Sequence, residues 1–256
     1  MKAIAVIPAR MGSSRYPNKP MAKIHGMPMI GHCLLRTAMC AALAETYVAT
    51  CDSEIFDYVT SIGGKAVMTS DQHQRATDRT AEAMLKIEKE SGNKVDIVVM
   101  VQGDEPMVTP DMIDDALKPF GGDSGIQVVN LMARIDDIAD FDDPNEVKVV
   151  VDKAMNAIYF SREPIPSRRK GFDTVPMWKQ VCIIPFRRDY LLKFNSLPET
   201  ELERIESIDM LRILENGEDV RMVITARRTY SVDTPEDLLF TKQAMISDPL
   251  MQKYMK

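Results

Sequence analysis

Through its first hundred or so residues the chain alternates short apolar runs with longer amphipathic stretches, and this alternation restricts the fold more than any other feature. KAIAVIPA (2–9), ETYVAT (45–50), KAVMTS (65–70) and DIVVMVQ (96–102) read as strands. Helix-like stretches lie between them, at 29–43, from Ser53, and from Thr77 to Glu90. The rhythm is that of β-α-β units, which build a parallel sheet covered by helices. Ser53-Glu54 suits a helix start, Gly63-Gly64 suits a helix end, and Thr77 is a candidate cap.

Past about residue 120 the order loosens into strand-like GIQVVNLMARI, EVKVVVD, NAIYFSR and VCIIPFR, mostly without intervening helices. The second half therefore reads as an added antiparallel or mixed layer. A helix at 201–215, a strand VRMVITA (220–226) and a closing helix from Pro235 complete the chain.

A hydrophobic content of 45% in 256 residues is ample for a core. Formal net charge is -6, so the whole-chain field repels nucleic acid and anionic membrane, and an anion site has to be a local basic cluster. The four cysteines have no CxxC spacing and the three histidines are scattered, which gives neither zinc nor a disulfide framework support. No apolar run approaches the ~20 residues that span a bilayer, and cytoplasmic residence is the default expectation.

Loops at the carboxyl ends of parallel strands are where open α/β sheets bind ligands. The first such loop, IPARMGSSRYPNKP (7–20), carries Arg10, Arg15 and Lys19 with Gly12, Ser13 and Ser14 between them. Cations and small residues that let backbone N–H groups approach suit a phosphate-bearing ligand. The loop is neither a Walker A sequence nor GxGxxG, and a merely basic surface loop is the competing reading.

A second candidate is the tip of DIVVMVQGDEP, where Asp104 and Glu105 form an acidic pair suited to a hard cation, with Asp104 the better ligand and a plain turn before Pro106 the alternative. The third is YSVDTPEDL (230–238), where Asp233 or Thr234 also suits ordinary helix capping.

In order and spacing these segments resemble the bacterial CMP-Kdo synthetases, the 3-deoxy-manno-octulosonate (Kdo) cytidylyltransferases. The likeness runs nearly end to end. IPARMGSSRYPNKP, GMPMI, YVATCD, MTSDQHQRATDR, VQGDEPM, PNEVKVVVD, YFSREPIP, LERIESIDMLRILENGE and VDTPEDL carry it.

The resemblance implies a nucleotide-diphospho-sugar transferase fold, α/β with a mostly parallel central sheet and an added dimerisation layer. It also implies transfer of CMP from CTP to an acidic acceptor, release of pyrophosphate, and a homodimer. On this reading residues 1–256 are one domain, with a nucleotide-binding half (1–120), an acceptor-binding and dimerisation half (121–230) and a closing metal-site helix (231–256). Arg10, Lys19, Asp104 and Asp233 would be catalytic, with Mg2+ on Asp104 and Asp233. Ala9, Gly12, Ser13, Ser14, Arg15, Arg75, Ala76, Thr77, Arg79 and Gln102 would join Arg10, Lys19 and Asp104 around the nucleotide. Arg162, Gln180, Ile184, Asp209 and Met210 would face the acceptor.

Departures from the family pattern gather on the acceptor side. There a histidine and a tyrosine four residues on are replaced by Gln180 and Ile184, and a Glu-Gln pair by Asp209-Met210, while near the expected nucleotide edge a Ser-Gly pair becomes Arg75-Ala76. These changes point to a modified ulosonic acid, another keto-acid sugar or a small phosphonate as acceptor. A nucleotidyltransferase using another nucleotide, and a catalytically silent nucleotide-binding protein, are the rival classes.

Overall fold

Every residue of the first strand, β1 (Ala3–Ala9), is buried, and its side chains alternate between two apolar clusters. Ala3, Ala5 and Ile7 enter one cluster, and Ile4 and Val6 the other. A strand with two buried faces belongs inside a sheet covered on both sides. The structure, a computed structural model, describes residues 1–12, 16–169, 175–227 and 230–255.

After β1, the first half holds strands β2 (Lys23–Ile24), β3 (Met27–Pro28), β4 (Leu43–Thr50), β5 (Lys65–Met68) and β6 (Ile97–Val101). Its helices are α1 (Met29–Thr37), α2 (Ser53–Ser61), α3 (Ala76–Ser91) and α4 (Pro110–Gly122). The second half adds β7 (Val129–Arg134), β8 (Lys148–Val151), β9 (Ala157–Ser161), β10 (Trp178–Val181), β11 (Ile183–Arg187) and β12 (Arg221–Thr225). Its helices are α5 (Ile138–Asp142), α6 (Arg188–Ser196), α7 (Glu201–Glu206), α8 (Met210–Glu215) and α9 (Pro235–Met245).

The central sheet has the order β11-β6-β1-β4-β5. Its members run parallel except β11, which lies antiparallel on β6. Residues of α1, α2, α4 and α9 pack into the first cluster, and residues of α3, α6 and α8 into the second. A second, mixed sheet has the order β12-β7-β10-β8-β9, in which only β7 and β12 are parallel. A bridge between Val128 and Phe186 joins the two sheets.

Several elements differ from the sequence reading. The first helix stops at Thr37, and the following strand starts early, at Leu43. Thr77 does not cap α3: Arg75 holds that position and Thr77 lies inside the helix. The helix expected at 201–215 breaks into α7 and α8, because Ser207 takes a left-handed conformation (φ 55°) and turns the chain. Helices α4, α5 and α6 have no counterpart in the reading.

The adjacency of β1 and β6 matters most for the site. It brings the loop after Ala9 beside the tip after Val101, and Gly103 allows close approach there. A Cβ on Gly103 would stand 3.0 Å from the Pro8 carbonyl oxygen.

Candidate active site

The ammonium of Lys19 lies 2.7 Å from Asp104 Oδ2 and 3.1 Å from Asp233 Oδ1, so three residues remote in the chain meet at one point. Burial on its own would lower the Lys19 pKa, but the two carboxylates outweigh it and the pKa is raised. Lys19 is positioned by a closed loop, in which Asn18 N donates to the Met11 carbonyl and Met11 N to Asp52 Oδ2 at 2.8 Å. At the other end of the triad, Thr234 caps α9 by accepting from Asp237 N, while Asp237 Oδ2 accepts from Thr234 N. Capping is thus supplied by Thr234, and the Asp233 carboxylate reaches Lys19 instead.

Two cavities open on this point and share Gln102, Asp104, Arg162, Ser207 and Asp209 as a common wall. The larger, about 380 Å³, is lined by Ala9, Arg10, Gly12, Lys19, Arg75, Ala76 and Arg79 among others. Arg79 is buried, donates to Thr69 Oγ1 and the Ser70 carbonyl, and keeps a buried Nη2 without a partner among the described residues. A guanidinium nitrogen in that state at a cavity wall suits an oxygen of a bound ligand. Arg75, the cation expected at the nucleotide edge, shares its charge with Glu199 and Glu203 at 3.4 and 3.8 Å. His73 lines the same cavity and pairs through Nε2 with Glu82.

Thr77 is a correction. It is fully buried on the inner side of α3 and does not line the cavity; its Oγ1 donates to Asp209 Oδ2 at 3.2 Å. Ser13, Ser14 and Arg15, also expected at the nucleotide, lie outside the described residues.

The smaller cavity, about 160 Å³, takes in Gln180, Ile184, Arg162 and Asp209 as expected. Met210 is the second correction: it is 0% exposed, packs in the second apolar cluster, and lines neither cavity. Leu211 and Ile213 are buried with it, so the inward stripe of α8 claims Met210 for the core. Arg162 donates to the carbonyls of Glu206 (2.7 Å) and Pro144 (2.9 Å). Among the described residues no carboxylate pairs with its guanidinium, so its charge is available to the cavity.

The sequence reading missed Glu146, which lines the smaller cavity and pairs with Lys179 at 2.7 Å. Glu105, the other half of the acidic pair at this strand tip, is buried behind Asp104. Burial, with the Asp104 charge beside it, pushes the Glu105 carboxyl up to about 7. Glu146 sits inside a quoted motif, PNEVKVVVD, so the signal was present without a role attached to it.

A family model described as Cytidylyltransferase matches residues 4–220. A 3-deoxy-manno-octulosonate cytidylyltransferase of Geobacter metallireducens is 41% identical over 93% of this chain and 95% of that protein. The chain belongs to the 3-deoxy-manno-octulosonate cytidylyltransferase family. It is a nucleotidyltransferase. A second family member, from Trichlorobacter lovleyi, is 40% identical over 96% of this chain and 99% of its own. The solved structure of a CMP:2-keto-3-deoxy-manno-octonic acid synthetase complexed with CTP superposes with a TM-score of 0.86 at 39% identity, covering 96% of this chain and 98% of that one. A cytidylyltransferase of Leptospira borgpetersenii shares the fold, with a TM-score of 0.63 at 16% identity over 96% of this chain and 87% of that one.

Proposed function

We propose that the protein transfers CMP from CTP to Kdo, with the triphosphate in the larger cavity and the sugar acid in the smaller. The convergence of Lys19, Asp104 and Asp233 where the two cavities meet carries this reading. A hydroxyl oxygen of the acceptor attacks the α-phosphorus and forms the new P–O bond. The bond from that phosphorus to the bridging oxygen of the β-phosphate breaks, pyrophosphate leaves, and the hydroxyl proton passes to solvent. Such a step asks mainly for positioning and charge neutralisation. Arg10 and Lys19 supply positive charge toward the phosphates, and Arg162 supplies it toward the acceptor carboxylate.

Two carboxylates converging on one cation fit Mg2+, which takes one or two carboxylates together with waters and phosphate oxygens, and Asp104 and Asp233 would hold it. Bound there, the ion would neutralise charge on the phosphates. The curated relatives named above support Kdo itself over a phosphonate, and with Met210 in the core only Gln180, Ile184 and Asp209 of the acceptor-side departures face the sugar cavity. The same reading expects a cytoplasmic homodimer, for which Ile158 and Ile224 on the edge strands of the second sheet offer exposed apolar surface.

The test is pyrophosphate release with CTP, Mg2+ and Kdo, beside a thermal-shift series with CTP, UTP and ATP. Turnover with Kdo and preferential stabilisation by CTP are expected. Stabilisation by CTP without turnover on Kdo would remove Kdo as the acceptor, and preferential stabilisation by another nucleotide would remove CTP.

A further inference from the structure

Gln180 lines the smaller cavity from β10, and the neighbouring strand β7 decides which end of its carboxamide faces inward. The deciding residue is Asn130, which is 0% exposed. Asn130 Nδ2 donates to the carbonyls of Leu131 at 2.9 Å and Val181 at 2.8 Å. A carboxamide nitrogen has two hydrogens, and both are spent. Turning this amide over would press its oxygen against two carbonyl oxygens in a buried place, so the orientation is chemically determined. Asn130 Oδ1 is left as an acceptor only, and Gln180 Nε2 donates to it at 2.5 Å.

With its nitrogen committed to Asn130, Gln180 has its oxygen on the other arm of the planar group. No hydrogen bond within the described residues reaches that Oε1, and it is not among the buried atoms that lack a partner. It is therefore an open lone-pair site on a residue of the cavity wall. Glu146 lines the same cavity, while Ile184 offers no polar group at all.

We propose that Asn130 is a positioning residue that holds Gln180 as a hydrogen-bond acceptor toward the sugar cavity. The pair makes position 180 select acceptors that present an O–H or N–H group there. This rests on the acceptor occupying the smaller cavity, as in the proposed function.

The experiment is steady-state pyrophosphate release with CTP, Mg2+ and Kdo. Gln180→Met keeps the length of the side chain and loses its polar atoms; it is expected to raise KM for Kdo about tenfold, with kcat and KM for CTP within about twofold. Gln180→His keeps an N–H for Asn130 and a lone pair for the substrate, so it is expected to hold KM for Kdo within about threefold of the unaltered enzyme. Asn130→Ala is expected to raise KM for Kdo alone, whereas a merely structural role would lower Tm and leave KM in place. If Asn130→Ala fails to fold, the contrast between Gln180→Met and Gln180→His decides the matter. An unmoved KM in Gln180→Met, or equal losses in Gln180→Met and Gln180→His, overturns this proposal while leaving the proposed function intact. No turnover of Kdo by the unaltered enzyme overturns both.

Discussion

Ser231 Oγ donates a hydrogen bond of 2.6 Å to Glu105 Oε1, which ties the segment bearing Asp233 to the strand end bearing Asp104. Val232 N adds a backbone bond to the Asp104 carbonyl at 3.0 Å. These two clasps hold the paired aspartates at a set spacing. Glu105 Oε2 is buried without a partner among the described residues, so the Ser231 hydroxyl contributes much of what satisfies this carboxyl. Ser231→Ala is expected to lower unfolding free energy by about 1–3 kcal/mol. It should also raise the Mg2+ concentration needed for half-maximal pyrophosphate release. Ser231→Thr keeps the hydroxyl and should preserve both, with urea denaturation and a metal titration as the two measurements.

Replacing either aspartate of the triad leaves Lys19 one ionic partner, so the fold should tolerate it. Asp104→Asn and Asp233→Asn are each expected to reduce kcat/KM by at least about a hundredfold. Circular dichroism and Tm should stay close to those of the unaltered protein. Ordinary turnover in either variant would remove that residue from the site.

How far the sequence speaks for the structure depends on the kind of signal each element carries. Strands β1 and β6 were legible because two-sided burial makes them continuous apolar runs, and α9 because Thr234 and Pro235 mark its start. Helix α6 follows β11 with Arg187 serving as both strand end and cap, so no Ser, Thr, Asp or Asn announces it. Helix α4 did carry a signal, Thr109-Pro110-Asp111, which the reading passed over. Lys19, Asp104 and Asp233 were legible through their motifs. Met210 was misplaced because the turn at Ser207 resets the helical phase, sending Asp209 to the cavity and Met210 to the core. The grip of Asn130 on Gln180 depends on cross-strand pairing, which a linear pattern does not encode.

A buried ion pair holds the segment that carries Asp209. Arg212 Nε and Nη2 donate to the two carboxylate oxygens of Glu203 at 2.7 and 2.6 Å, with side chains 5% and 0% exposed. Arg212 Nη1 also reaches the carbonyls of Phe194 and Leu197. Arg212→Ala leaves the buried Glu203 carboxylate with only the longer Arg75 contact at 3.8 Å and is expected to cost about 3 kcal/mol. Adding Glu203→Leu should recover much of that loss, because no unpaired charge then remains. Urea denaturation of the single and double variants checks both statements.

His32 supplies a pH dependence away from the site. Its Nε2–H donates to the Ile24 carbonyl at 2.9 Å, and Tyr254 OH donates to Nδ1 at 2.7 Å. Burial lowers its pKa, against the pull of the Ile24 bond, with Arg36 lowering it further. The folded form thus resists a proton that the unfolded chain accepts below about pH 6.5. The contribution is full above about pH 6.5 and declines as pH falls toward the depressed folded value. His32→Phe should flatten that decline, seen as a smaller difference between urea midpoints at about pH 5 and about pH 7.5. Equal differences in the two proteins would exclude His32 as the source.

Asp104 follows a strand made before the middle of the chain, whereas Asp233 directly precedes the cap of α9. During synthesis, a ribosome that has released residues 1–120 has delivered most of the central sheet and only one of the two carboxylates. The meeting of the two carboxylates at Lys19 therefore waits for the segment that leads into α9. A protease nick between the two aspartates leaves fragments neither of which carries both carboxylates that meet at Lys19.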